Sequence, residues 1–197
     1  MSNEGVDGSR RRFLTTATSV VGAAGAAGAA WPFLASLKPS ARARALGAPV
    51  IADISTLEPG MRATYLWRGQ PIWVVRRTPE MLASLDAVKG DLLDPESKAP
   101  QQPAYITDKS RAIKPEFMVM KGVCTHLGCS PTMRADHPAP EIAPNWQGGF
   151  FCPCHGSKFD LAGRVYKGVP APSNIVIPPH RYDGDTVLVI GEDPKTA

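Results

Sequence analysis

The chain has four cysteines and four histidines in 197 residues, and all the cysteines fall with two of the histidines in two short boxes. The first box is Cys124-Thr125-His126-Leu127-Gly128-Cys129 and the second is Cys152-Pro153-Cys154-His155-Gly156-Ser157. Each box sets a Cys and a His two or three residues apart, so that one tight loop can aim both at a single metal site. Together the boxes supply a pair of thiolates and a pair of neutral imidazoles. A mononuclear zinc site could take two Cys and two His, and by spacing alone it is the main competitor. Zinc-binding loops usually pair Cys with Cys and His with His. One of each per loop, with a further Cys in each, suits a two-iron, two-sulfide cluster with Cys on one iron and His on the other.

The strings C-T-H-L-G-C and C-P-C-H-G-S resemble the Rieske iron–sulfur proteins. More narrowly, they resemble the Rieske subunit of respiratory cytochrome bc complexes, the quinol–cytochrome c reductases. Rieske ferredoxins of ring-hydroxylating oxygenases carry only C-x-H and C-x-x-H. The additional Cys129 and Cys154 mark the quinol-oxidising branch. The resemblance implies one 2Fe–2S cluster, with Cys124 and Cys152 on the inner iron and His126 and His155 on the outer iron. It also implies a Cys129–Cys154 disulfide between the loops, and a Ser157 hydroxyl bonded to a bridging sulfide. Gly128 and Gly156 are expected to bring backbone N–H groups toward the sulfurs. By the same resemblance His155 would be the catalytic ligand, which hydrogen-bonds ubiquinol and takes its proton. The implied partners are cytochrome b and a c-type cytochrome in a dimeric complex. Phe159 departs from the family pattern, since many members have Tyr there. A Rieske subunit of another exported oxidoreductase, such as arsenite oxidase, is the neighbouring reading, and a structural zinc module is the alternative of another class.

The elements that must position these boxes follow from the rest of the chain. Short apolar runs bounded by Pro and Gly predict strands at 50–54, 63–67 and 72–76, with a hairpin break at Trp67–Pro71. Thr78-Pro79 reads as a helix start, Thr capping and Pro in the first turn, and Met81, Leu82, Leu85 and Val88 share one face. Residues 89–115 are polar and Pro-rich and read as a surface insertion, with Leu92 and Leu93 as its pins. Phe117–Met120 reads as a buried strand delivering the first box, and Phe150-Phe151 as the strand before the second. A second hairpin is expected around the turn Leu161–Arg164, joining Phe159-Asp160 to Val165-Tyr166. Segments 175–177 and 186–190, with a turn at Asp183-Gly184, close the sheet. His137 and His180 read as surface histidines. Gly168–Pro172 resembles the proline loop that covers the cluster in the family, and a rigid surface turn is the other reading.

Ahead of this all-β, Rieske-like sandwich head of residues 50–197, with its small cluster-binding subdomain, lies a different kind of sequence. Residues 1–9 are small and polar and read as disordered, within a cytoplasmic tail of residues 1–12. Ser9-Arg10-Arg11-Arg12-Phe13-Leu14 resembles the twin-arginine export signal. From Phe13 to Leu37 there are 25 residues without a charge, enough to span a bilayer. Pro32 is expected to kink the run, and Gly22, Gly25 and Gly28 give a small-residue stripe. A single anchor over 13–37 and a cleaved signal peptide are the two readings. Residues 38–49 are the linker, extended or helical, and either a hinge or a passive stalk. The export route implies a bacterial inner membrane with the head in the periplasm.

The formal charge of +4 does not indicate a nucleic-acid partner. Six Lys/Arg stand against two acids in residues 1–46, and sixteen of each sign fall in residues 47–197. The basicity belongs to the tail. No nucleotide loop, nucleophile–base pair or carboxylate dyad accompanies the boxes.

Overall fold

The computed structural model describes residues 7–194, and the expectation of disorder over residues 1–6 lies outside them. Gly8 and Ser9 depart from that expectation by lying inside the first helix, α1 (Gly8–Ser36). Asp7 explains this, because its side chain accepts from Ser9 N–H at 3.0 Å and caps the helix start. Twenty-nine residues make a rod of about 43 Å, and none of its side chains is buried. The Gly8–Gly47 stretch is long and apolar enough to cross a membrane, with a mean hydropathy of 1.5 in its best window. Pro32 sits inside α1. It has no N–H to donate, and the helix continues around it to Ser36. The linker takes the helical option, as α2 (Ala41–Gly47), capped by Ser40.

The chain divides at Ala45/Leu46 into two compact units, and the second is built on nine short strands. These are β1 (Val50–Asp53), β2 (Arg62–Trp67), β3 (Gln70–Arg76), β4 (Phe117–Lys121), β5 (Thr132–Arg134), β6 (Gly149–Phe151), β7 (Lys158–Asp160), β8 (His180–Asp183) and β9 (Val187–Ile190). They pair antiparallel in three sheets ordered β1-β9-β8, β2-β3-β4 and β5-β6-β7. The β2–β3 hairpin turns on Arg68 and Gly69, both with positive φ (52° and 71°), as a two-residue turn matching strand twist requires. Helix α3 (Pro79–Ala87) follows β3, with Thr78 accepting from Met81 N–H and Pro79 in the first turn.

The central sheet explains the pattern of the sequence around it. Alternate residues of a strand face opposite ways. In β3 and β4, Trp73, Val75, Met118 and Met120 enter one core, with Phe150, Phe159, Cys124 and Cys152. Ile72, Val74 and Val119 enter another, with Ala52, Trp67, Leu188 and Ile190 of the flanking strands. Both faces of β3 are covered, so its sequence reads as an unbroken apolar run instead of an alternation. Met81 and Leu82 pack with Leu85 against Leu161 and Ala162, while Val88 joins Leu92, Trp146 and Tyr166.

Four expectations need correction. Residues 89–115 are irregular, but they are not a surface insertion. Arg111 is 1% exposed, and its guanidinium donates to Gln102 Oε1 and to the carbonyls of Ala162, Gly163 and Ile175. The segment plugs the head, its backbone bonding to residues 165–167 through Leu93 N–H to Val165 O and Lys167 N–H to Asp91 O. Leu92 is its buried pin, and Leu93 is exposed. Residues 175–177 are buried but form no strand. Their backbone bonds go to three separate segments, at Gly163, Lys121 and Gln101. His180 is fully buried, in the unforeseen strand β8, because its Nδ1 finds Pro178 O at 2.9 Å. His137 is exposed, as its sequence context indicates.

Candidate metal centre

The two boxes fold as two copies of one loop. In the first, Cys124 N–H donates to Cys129 O (2.7 Å) and Gly128 N–H to Cys124 O (3.0 Å). In the second, Cys152 N–H donates to Ser157 O (2.8 Å) and Gly156 N–H to Cys152 O (2.9 Å). Each glycine has positive φ, 82° and 75°, a backbone that other residues adopt only with strain. Their N–H groups close the loops on carbonyl oxygens.

Core strands fix where the loops sit. β4 leads into the first box through Gly122, which must be glycine because a Cβ there would run into the Trp73 ring. Gly122 N–H is held by Pro71 O at 2.7 Å. The second box joins β6 to β7, adjacent strands in register at Phe150 and Phe159. A third segment, Gly168–Pro172 and its neighbours, holds both boxes. Thr125 Oγ donates to Ser173 O (2.7 Å), and Ala171 N–H donates to Ser157 Oγ (3.1 Å). The proline loop is therefore bonded to the site and is not a free surface turn. Thr125 is no ligand type, and its position between a Cys and a His of the first box is the sequence signal of this bond.

The donor groups are sorted by depth. Cys124 and Cys152 are free and buried, 3% and 2% exposed, in one core cluster. Burial pushes the Cys124 thiol up, while a His126 backbone bond and the Ser157 hydroxyl pull the other way. His126 is half-buried and His155 exposed, with rings edge to face at 4.8 Å between centroids. Cys129 and Cys154 are joined in a disulfide that crosses from one box to the other. Ser157 is fully buried. Its oxygen accepts from Ala171, which leaves its own proton for a sulfur acceptor. Leu127, beside His126, is 73% exposed.

Behind the second box lies a buried ion pair absent from the motif reading. Asp160 and Arg164 meet at 2.6 Å with side chains 2% and 3% exposed. Asp160 Oδ1 also accepts from the N–H groups of Ala162 and Arg164, which shapes the turn between β7 and residue 165. Asn174 accepts from Val165 N–H at 2.8 Å.

This donor set fits a two-iron, two-sulfide group. Two thiols are buried in one core cluster, the two imidazoles are half-buried and exposed, and a buried hydroxyl has a proton to give. Comparison with known proteins agrees. Residues 48–179 match the Rieske [2Fe-2S] domain, and residues 1–40 match the TAT signal of the ubiquinol–cytochrome c reductase Fe-S subunit. The chain belongs to the Rieske [2Fe–2S] family, in the branch of the ubiquinol–cytochrome c reductase iron–sulfur subunits, whose cofactor is one Rieske 2Fe–2S cluster. The subunit so named from Allochromatium vinosum is 58% identical over 197 residues, covering 100% of this chain and 95% of that one. Those of Blastochloris viridis and Rhodospirillum rubrum are each 41% identical. They cover 96% of this chain, and 97% and 96% of their own.

Proposed function

We propose that this chain is the electron-transfer subunit of a ubiquinol–cytochrome c oxidoreductase. In this reading Cys124 and Cys152 would hold one iron, His126 and His155 would hold the other, and His155 would be the catalytic ligand. The observation that carries the proposal is the depth order of the site, with thiols buried and His155 exposed. When bound, the cluster supplies a one-electron acceptor whose potential two neutral imidazoles raise above that of an all-Cys cluster. With the cluster bound, His155 would offer quinol a hydrogen-bond acceptor at its free ring nitrogen and would take the proton there. Ser157 donates toward sulfur and favours the more negative, reduced state. The disulfide and the Thr125 and Ala171 bonds keep both boxes in place while charge changes at their junction.

Delivery of the electron to a c-type cytochrome then uses movement of the head on residues 38–49. Cytochrome b supplies the quinol site, and the complex is a dimer. The match to an export-signal model over residues 1–40 and the long apolar α1 support an exported, membrane-anchored subunit. We place residues 13–37 across a bacterial inner membrane as an uncleaved anchor, with residues 1–12 in the cytoplasm and residues 50–197 in the periplasm. The twin-arginine route carries folded proteins, so the cluster can be inserted before the head crosses.

The test is His155→Ala in membranes that otherwise lack the subunit. Quinol-dependent cytochrome c reduction should fall to background. Turnover within twofold of wild type would remove His155 from the reaction.

A further inference from the structure

Three sulfurs crowd the junction of the two boxes. Sγ of Cys152 and both sulfurs of the Cys129–Cys154 disulfide lie within 4.8 Å of one another. A free thiol this close to a disulfide has the composition for internal exchange, which needs no added oxidant or reductant. Rotation about χ1 moves a cysteine sulfur between staggered positions, so the gap is within reach of a side-chain motion. We propose that, in a chain oxidised before it receives iron and sulfide, the disulfide migrates to a second position, Cys129–Cys152.

The step balances within the three residues. Cys152 sulfur attacks Cys129 sulfur, the Cys129–Cys154 bond breaks, and the proton lost by Cys152 ends on Cys154. One disulfide and two thiols are present before and after, with Cys124 the second thiol throughout. Exposure selects the direction of attack. Cys154 is exposed and Cys129 half-buried, so releasing Cys154 puts the new thiol in water. Attack on Cys154 would instead close the small ring of a Cys-x-Cys disulfide and leave Cys129 behind in the protein. The product still ties one box to the other, so the misplaced bond keeps the fold's inter-loop clamp.

The consequence rests on the proposed role of Cys152 as an iron ligand. A Cys129–Cys152 chain has lost one of its two ligand thiols and cannot take up the cluster. Cluster insertion before oxidation of the outer cysteine pair would keep Cys152 out of this exchange.

The experiment uses the full-length chain in detergent, produced under iron depletion, then oxidised and alkylated. Peptide mapping by mass spectrometry reads which cysteines carry the label. Exchange predicts that labelling at Cys154 rises from none, mole for mole with its loss at Cys152, while Cys124 stays labelled. Cys152→Ser should show no label at Cys154 under the same conditions. A map containing only Cys129–Cys154 in the wild-type chain would overturn the proposal. Iron and sulfide reconstitution of the exchanged sample should fail, and recover after treatment with a thiol reductant. If the exchanged chain forms its cluster without reductant, the crosslink stands and the assignment of Cys152 as ligand falls.

Discussion

Phe159 is fully buried and shares a core with Cys124 and Cys152. In family members with Tyr at this place, the hydroxyl donates to a ligating sulfur, which here would be that of Cys124. Phe keeps the ring packing and has no donor. Phe159→Tyr should therefore raise the reduction potential, by about 40 mV if the added bond is worth about 1 kcal/mol. Protein-film voltammetry at a pH below the histidine transitions measures this, and an unshifted potential with the fold intact would mean that the hydroxyl does not reach sulfur. His180 gives a prediction about stability. Burial lowers its pKa below the ordinary 6.5, against the Pro178 carbonyl bond that favours the charged form. The unfolded chain therefore binds a proton at higher pH than the folded one does. Stability is fully present above pH 6.5 and falls as pH drops from there through the folded value. The melting temperature of wild type should decline across that window more steeply than that of His180→Gln, and parallel curves would show that His180 is not the group responsible.

At the scale of elements, legibility followed the range of the interactions involved. The β2–β3 hairpin and the start of α3 depend on neighbours in sequence, and their turn and cap residues were visible. The boxes were also legible, because ligand types and their spacing are local. Residues 175–177 misled, since an apolar run looks the same whether its backbone bonds go to one strand or to three separate segments. Strand β5 has three residues and no fully buried side chain, so no period-2 pattern marks it. Burial of Arg111 inside the 89–115 segment is decided by carbonyls more than fifty residues away, which local sequence does not contain, and His180 lies in a strand whose pairing to β9 no local pattern marks. The linker was ambiguous for a different reason, Ala-rich sequence permitting both helix and coil. With α2 as a helix, consecutive prolines over residues 41–47 replace it by a stiff extended segment. If the segment is a hinge, turnover should slow several-fold with the cluster spectrum unchanged. Equal turnover would make it a stalk.

Taken as a whole, the molecule separates anchoring from chemistry. The first unit contributes an apolar helix and the net positive charge, and the second contributes a near-neutral head whose cores support the two boxes. Within the head, charges are buried where they are bonded. Arg77 donates to the carbonyls of Ser110, Pro115 and Leu161, and Arg164 to Asp160 and the Leu85 carbonyl. These long-range bonds fasten the irregular segments of the head to one another. The ligand set is the centre of the account, and pulsed electron paramagnetic resonance of the reduced, membrane-bound protein tests it most directly. With histidine labelled by nitrogen-15, the spectrum should show a one-electron-reduced 2Fe–2S centre coupled to two imidazoles, and no such centre should form in His126→Ala or His155→Ala. A cluster without nitrogen coupling, or a diamagnetic protein containing stoichiometric zinc, would contradict the assignment.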